Sequence, residues 1–129
     1  LEIPIEHQGL KLKAVVSYMV DNINIYLGGG DRPHIGSIAI SQPRSSMRDS
    51  SKISCTTSVF NILSHKDDAL SVKLSESVCK KANATVVVTS GVHVDDATRC
   101  QINAFMHMTE EIAETICLQY SKFMKQTGF

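Results

Sequence analysis

Hydrophobic and polar residues alternate with a period of two in the first half of the chain, which is typical of strands with one buried face. The alternation is clearest on both sides of the glycine-rich segment 28–36, where it predicts a hairpin. Other stretches rich in alternating or β-branched residues lie before and after that hairpin. The predicted strands are Leu10–Val20, Asn22–Leu27, Ser37–Ser41 and Ile53–Leu63.

The second half of the chain changes to helical spacing. Apolar residues recur every four positions over Leu70–Ala82, so they fall on one stripe of a predicted helix. Asp67 and Asp68 suit the start of this helix, where free N–H groups and the positive end of the dipole favour acidic residues. Asn83 suits its end. The sequence therefore predicts a first helix that stops shortly before residue 85.

A further strand and a further helix follow. The apolar run Val86–Val88 is typical of a strand covered on both faces. From Ile102 to Phe123 the apolar residues keep helical spacing, which predicts a long helix from near Ala97 or Thr98 to about residue 125. The order β-β-β-β-α-β-α predicts one α+β domain over residues 1–129, a mostly antiparallel sheet with two helices packed on one face.

Composition excludes few function classes, but the charge balance and the cysteines indicate which partners and which cellular compartment to expect. Thirteen basic and thirteen acidic residues among 129 leave no net charge, which disfavours nucleic acid and membrane surfaces as main partners. We expect neither a membrane span nor a signal peptide. The four cysteines have no CxxC pair and no metal-ligand spacing, so we expect buried thiols and a cytoplasmic protein. They are Cys55, Cys79, Cys100 and Cys117.

Three polar clusters each combine one histidine with at least one aspartate, a pairing in which the carboxylate can orient the imidazole. One alternative is a shared site; the other is that the aspartates only cap helices and the histidines are solvated loop residues. The clusters are Asp31-Arg32-Pro33-His34, Ser64-His65-Lys66-Asp67-Asp68 and His93-Val94-Asp95-Asp96.

The first cluster follows Gly28-Gly29-Gly30, more glycine than a simple turn requires. Such a segment lets backbone N–H groups approach an anionic group closely, so it suggests binding. The sequence has no nucleophile elbow, P-loop or dinucleotide-binding fingerprint, and no spacing supports a metal site. We therefore assign no catalytic residue and no metal ligand.

These motifs together resemble the family of the small accessory subunit of gallate decarboxylase, which is described as prenylated-flavin chaperone-like. The resemblance covers roughly residues 21–114, and Ser64 stands where that pattern has glycine. The order of elements also resembles the third eukaryotic proteasome-assembly chaperone. The matching segments are Gly29–Gly36, Thr56–Val59, His65–Asp68 and Val87–Asp95.

The first resemblance implies a non-catalytic accessory protein of a UbiD-type decarboxylase, one that binds or delivers prenylated flavin mononucleotide or aids maturation of the enzyme. We also expect a homodimer, because helices on one sheet face leave the other face uncovered. An assembly chaperone that docks without a small ligand is the alternative, and a small enzyme using His34, His65 or His93 comes third. The implied cofactor-binding residues are Gly29, Gly30, Asp31, Arg32, His34, Gly36, His65, Lys66, Asp67, His93 and Asp95.

Overall fold

The computed structural model describes residues 1–62 and 68–126. Over these residues the chain forms six strands and two helices, which confirms the α+β class and adds one strand, β1, to the predicted order. The elements are β1 Glu2–His7, β2 Leu10–Met19, β3 Asn22–Gly30, β4 Ser37–Ser45, β5 Ile53–Asn61, α1 Asp68–Ala82, β6 Thr85–His93 and α2 Arg99–Gln126.

The sheet has the strand order β1-β2-β3-β6-β4-β5. Strands β3 and β6 are parallel, and the other neighbouring pairs are antiparallel. The predicted hairpin between β3 and β4 is therefore wrong, since β6 lies between them. Val88 of β6 is paired with Ile25 on one side and with Ala39 on the other, so the valine-rich strand lies inside the sheet. The predicted cover on both of its faces is wrong, because Val86 and Val88 are buried under the helices whereas Val87, on the other face, is only half-buried.

Both helices cover the same face of the sheet, as predicted, and the core lies between them and the strands. Leu74 and Val78 of α1 and Ile112 of α2 are at most 1% exposed. They belong to one cluster with Ile25 and Val88 of the central strands. Burial of these aliphatic side chains is the main stabilising contribution to the fold. No helix among the described residues is long and apolar enough to span a membrane.

The helix ends follow local capping rules. Asn83 has a φ of +51°, the left-handed conformation that commonly ends a helix, directly after α1. At the start of α2, the Thr98 hydroxyl accepts a hydrogen bond from the Gln101 N–H, and the Gln101 side chain accepts one from the Thr98 N–H. This reciprocal capping box, rather than Asp95 or Asp96, begins the second helix.

The face of the sheet opposite the helices carries exposed apolar side chains. Ile40 is 41% exposed and Phe60 is 66% exposed, and Ile38 pairs with Phe60 across β4 and β5. We call Ile38, Ile40 and Phe60 the open-face strip. The four cysteines are free thiols, but only Cys79 is buried, while Cys55 and Cys117 are half-buried and Cys100 is exposed, so the expectation of buried thiols is confirmed for Cys79 alone.

Candidate functional site

The carboxyl ends of β3 and β6 meet at one edge of the sheet because these two strands are parallel. Residues 31–36 leave β3 at this edge, and residues 94–98 leave β6. The first turns of α1 and α2 lie here too, since Leu70 and Ile102 line one cavity with Val92. The topology therefore brings together two of the three predicted polar clusters, although they are far apart in sequence.

Gly29 and Gly30 belong to β3 rather than to a turn, so the predicted turn is shorter and spans residues 31–36. A Cβ on Gly29 would collide with the backbone carbonyl oxygen of Lys11 in the neighbouring strand. Gly30 has a φ of +68°, and the backbone of His93 lies directly against it. The close approach of the neighbouring strands therefore explains why glycine stands at these two positions, independently of any ligand.

Backbone hydrogen bonds fasten segment 31–36 to its neighbours at both ends. The Asp31 N–H donates to the carbonyl of His93, with 2.6 Å between nitrogen and oxygen. The Gly36 N–H donates to the carbonyl of Ser90 at 2.8 Å, and the Gly36 carbonyl accepts from the Ile62 N–H at 2.9 Å. The segment is therefore held along β6 from its first residue to its last.

Two residues that the sequence analysis did not place in the site position His34. The Tyr26 hydroxyl donates a hydrogen bond of 2.9 Å to the carbonyl of His34. A Cβ on Gly91 would collide with the same carbonyl oxygen. Gly91 belongs to the Val87–Asp95 motif, but its role depends on His34, which comes near only in the folded chain.

Three polar side chains, those of His93, Asp95 and Arg32, lie close together at the rim of the site. His93 Nε2 is 2.7 Å from Asp95 Oδ1, and Arg32 Nη2 is 3.8 Å from the same oxygen. The hydrogen bond and charge of His93, with a smaller contribution from Arg32, hold the pKa of Asp95 below its usual value. A carboxylate only accepts, so Nε2 of His93 donates, which fixes the orientation of this ring.

His34 faces His93 across a small cleft. Nδ1 of His34 is 2.9 Å from the carbonyl oxygen of Arg32, and since a carbonyl only accepts, this nitrogen donates. The two imidazole rings have centroids 6.4 Å apart and stand nearly edge to face, at 73°. With Arg32 and Ile35 they line a cavity of about 270 Å³, which we call the polar cleft.

A second cavity, of about 330 Å³, is also lined by His93, and its other lining residues are apolar. It lies between the first turns of the two helices and the end of β6. We call it the apolar cavity, and His93 lines it as well as the polar cleft. Its other lining residues are Ala69, Leu70, Val92, Val94, Ala97, Ile102, Phe105 and Met106.

The remaining predicted cluster, with His65, Lys66 and Asp67, lies outside the described residues. Ile62 is held at this edge by the hydrogen bond that its N–H donates to the Gly36 carbonyl. Helix α1, which begins at Asp68, reaches the same edge, since Leu70 lines the apolar cavity. Within residues 1–62 and 68–126, no three histidine, cysteine or acidic side chains are grouped so as to hold a metal ion.

Comparison with known proteins gives one family and one fold. Residues 6–121 match the family described as the prenylated flavin chaperone LpdD-like domain. The chain is 25% identical over 111 residues to Protein LpdD of Lactiplantibacillus plantarum, covering 86% of this chain and 78% of that protein. A solved structure titled as a novel chaperone complex for yeast 20S proteasome assembly superposes with a TM-score of 0.59. That likeness, at 16% identity over 96% of this chain and 94% of the other, shows a shared fold.

Proposed function

Because this chain belongs to the family of prenylated flavin chaperone LpdD-like domains, we propose that it binds prenylated flavin mononucleotide at the edge where β3 and β6 end. In this proposal the protein is a non-catalytic, cytoplasmic accessory that holds or delivers the cofactor to a UbiD-type decarboxylase. The observation that carries the proposal is the juxtaposition of the His34 and His93 rings beside Arg32.

Three of the four side chains that line the polar cleft have a role that suits a flavin nucleotide. The Arg32 side chain is 73% exposed, and its Nη2 lies as far as 3.8 Å from Asp95 Oδ1. This loose ion pair leaves the guanidinium available to a phosphate. The rings of His34 and His93, held by hydrogen bonds to Arg32 and Asp95, offer aromatic surfaces to a planar heterocycle. The site therefore combines a cation for the phosphate with two oriented rings for the flavin.

Flavin binding is expected to weaken at least tenfold in Arg32→Ala and in His34→Ala, because each variant removes a charge-assisted contact or a ring surface from the cleft. Purified protein is titrated with flavin mononucleotide and with its prenylated form, and flavin fluorescence and the melting temperature are recorded. Arg44→Ala is the matched control, since Arg44 lies on β4 and is bonded to Thr56 instead. The absence of saturable binding to either flavin, or equal losses in Arg32→Ala and Arg44→Ala, would contradict the proposal.

The open-face strip favours a second candidate function, assembly of other proteins through docking without a small ligand. Both helices of the described residues cover the same face of the sheet, and Phe60 and Ile40 stand exposed on the other. We infer that a second copy of this chain covers the strip in a two-fold homodimer, because exposed apolar side chains on a sheet face that no helix covers are typical of an interface between copies.

Phe60→Lys is expected to convert this homodimer to monomer at micromolar concentration, since two lysines would be buried opposite each other without partners. Sedimentation velocity measures the change in mass. Leu118→Lys is the matched control, because Leu118 is 67% exposed on α2, away from the strip, against 66% for Phe60. A wild-type protein that sediments only as monomer would refute the dimer, and dimers without flavin binding would favour the docking function.

A further inference from the structure

Two cysteines lie on facing elements, away from the proposed flavin site. Cys55 is on β5, at the edge of the sheet, and is half-buried, whereas Cys79 is on α1 and is 0% exposed. Neither side chain lines the polar cleft or the apolar cavity, so their chemistry is independent of the proposed function.

Hydrogen bonds fix the direction in which α1 crosses this part of the sheet. The hydroxyl oxygens of Ser37 on β4 and Ser71 on α1 are 2.7 Å apart. Further along both elements, the Ser41 hydroxyl donates to that of Ser75 at 2.9 Å. Helix α1 therefore runs in the direction of β4, and it runs opposite to β5 because β4 and β5 are antiparallel.

The register between β5 and α1 places the two thiols beside each other. The Thr57 hydroxyl donates to the Glu76 carboxylate, with 2.7 Å between the oxygens. Since the two elements run in opposite directions, Cys55, two residues before Thr57 and packed against the core, lies beside the next turn of α1, which carries Cys79. Burial and, to a smaller extent, the adjacent Cys55 thiol raise the pKa of Cys79 to about 11.

Thr57 also connects the Cys55 thiol to a carboxylate. Cys55 Sγ is 3.9 Å from Thr57 Oγ1, and the Thr57 hydroxyl gives its only proton to Glu76, so the thiol is the donor in its contact with Thr57. Glu76 lines a groove of about 400 Å³ on the outer side of α1, where a proton passed through Thr57 reaches solvent. The half-buried thiol is therefore the member of the pair that meets an oxidant first.

We propose that Cys55 and Cys79 form a peroxide-sensitive thiol pair, which is oxidised to a disulfide that joins β5 to α1. Hydrogen peroxide transfers one oxygen to the Cys55 sulfur, the O–O bond breaks, and the thiol proton leaves with the other oxygen as water. The Cys79 sulfur then attacks the Cys55 sulfur, forming the S–S bond and displacing hydroxide, which takes the Cys79 proton as a second water. Each sulfur gives up one electron, and the peroxide takes up both.

The test treats purified protein with a small molar excess of hydrogen peroxide, alkylates the remaining thiols in denaturant, and maps the unreduced peptides by mass spectrometry. We expect two of the four thiols to be lost and a peptide linked through Cys55 and Cys79 to appear. The melting temperature should rise by roughly 5 °C or more, because the cross-link restricts the unfolded chain, and dithiothreitol should reverse the rise.

Three variants identify the residues involved. Cys55→Ser should form no linkage through Cys79, whereas Cys100→Ser, the matched control at an exposed cysteine, should form the linkage as the wild type does. Thr57 is a positioning residue in this proposal, so Thr57→Val should slow formation of the linkage about tenfold or more, and Thr57→Ser, which keeps the hydroxyl, should restore the rate.

The outcomes decide between a redox pair and two structural thiols. A Cys55–Cys79 peptide in the wild type and in Cys100→Ser, together with the higher melting temperature, supports the pair. Four alkylated thiols after peroxide treatment, or linkage through Cys100 alone, overturns it. Equal rates of linkage in Thr57→Val and in the wild type overturn the role of Thr57.

Discussion

Leu74→Ala is expected to lower the free energy of unfolding by about 2–5 kcal/mol, the usual cost of deleting a buried leucine side chain and leaving a cavity. Leu74 is 0% exposed at the centre of α1 and belongs to the cluster that includes Ile25 of β3 and Ile112 of α2. Elements from both layers close around it, so the vacated space collapses only partly. A loss of this size is a large fraction of a typical domain's stability.

Denaturant unfolding, followed by far-ultraviolet circular dichroism, measures the effect at equilibrium. Leu118→Ala is the control, because Leu118 lies on α2 with 67% of its surface exposed and should change stability by less than about 0.5 kcal/mol. Equal losses in the two variants would show that α1 does not pack on the sheet as described.

Gly91→Ala is expected to cost about 1–3 kcal/mol and also to weaken flavin binding at least tenfold. The new Cβ would collide with the carbonyl oxygen of His34, a backbone atom that no rotamer change can move away. Relief requires a shift of the segment that carries His34, which the hydrogen bond from Tyr26 otherwise holds in place. Stability and ligand affinity should therefore fall together.

Gly9→Ala separates the two effects. Gly9 has a φ of +81°, so alanine there is strained by about 1–2 kcal/mol, but nothing lies within 4 Å of the new Cβ. We expect a similar loss in denaturant unfolding with unchanged flavin affinity. Wild-type flavin affinity in Gly91→Ala would mean that the position of the His34 backbone does not matter to the ligand.

Local sequence signals predicted where the helices and strands lie better than they predicted which strands pair in the sheet. The helix stripe at Leu70–Ala82 follows from periodicity and the strand at Val86–Val88 from its apolar run, and the structure has both elements. The hairpin prediction failed because alternation on two sides of a short connection states that both segments are strands, not that they pair. Which strand enters between them depends on contacts distant in sequence.

The same limit applies to the site. Segments 31–34 and 93–96 were predicted as polar clusters, and the parallel pairing of β3 with β6 is what brings them together. Gly91 and Tyr26 act through the backbone of His34, so their residue types alone carried no signal. The apolar cavity went unpredicted because its lining comes from α1, β6 and α2, and each of those residues alone is typical of an ordinary core.

Strand β6 is the last strand in the sequence, yet it lies in the middle of the sheet. Strands β1–β3 form one antiparallel unit from consecutive segments, strands β4 and β5 form another, and only β6 joins the two. Local pairings close quickly in folding, whereas this insertion waits for a long loop to close. Tyr26, His34 and His93 therefore come together only when β6 docks, and we expect a ligand bound there to slow unfolding by opposing the departure of that strand.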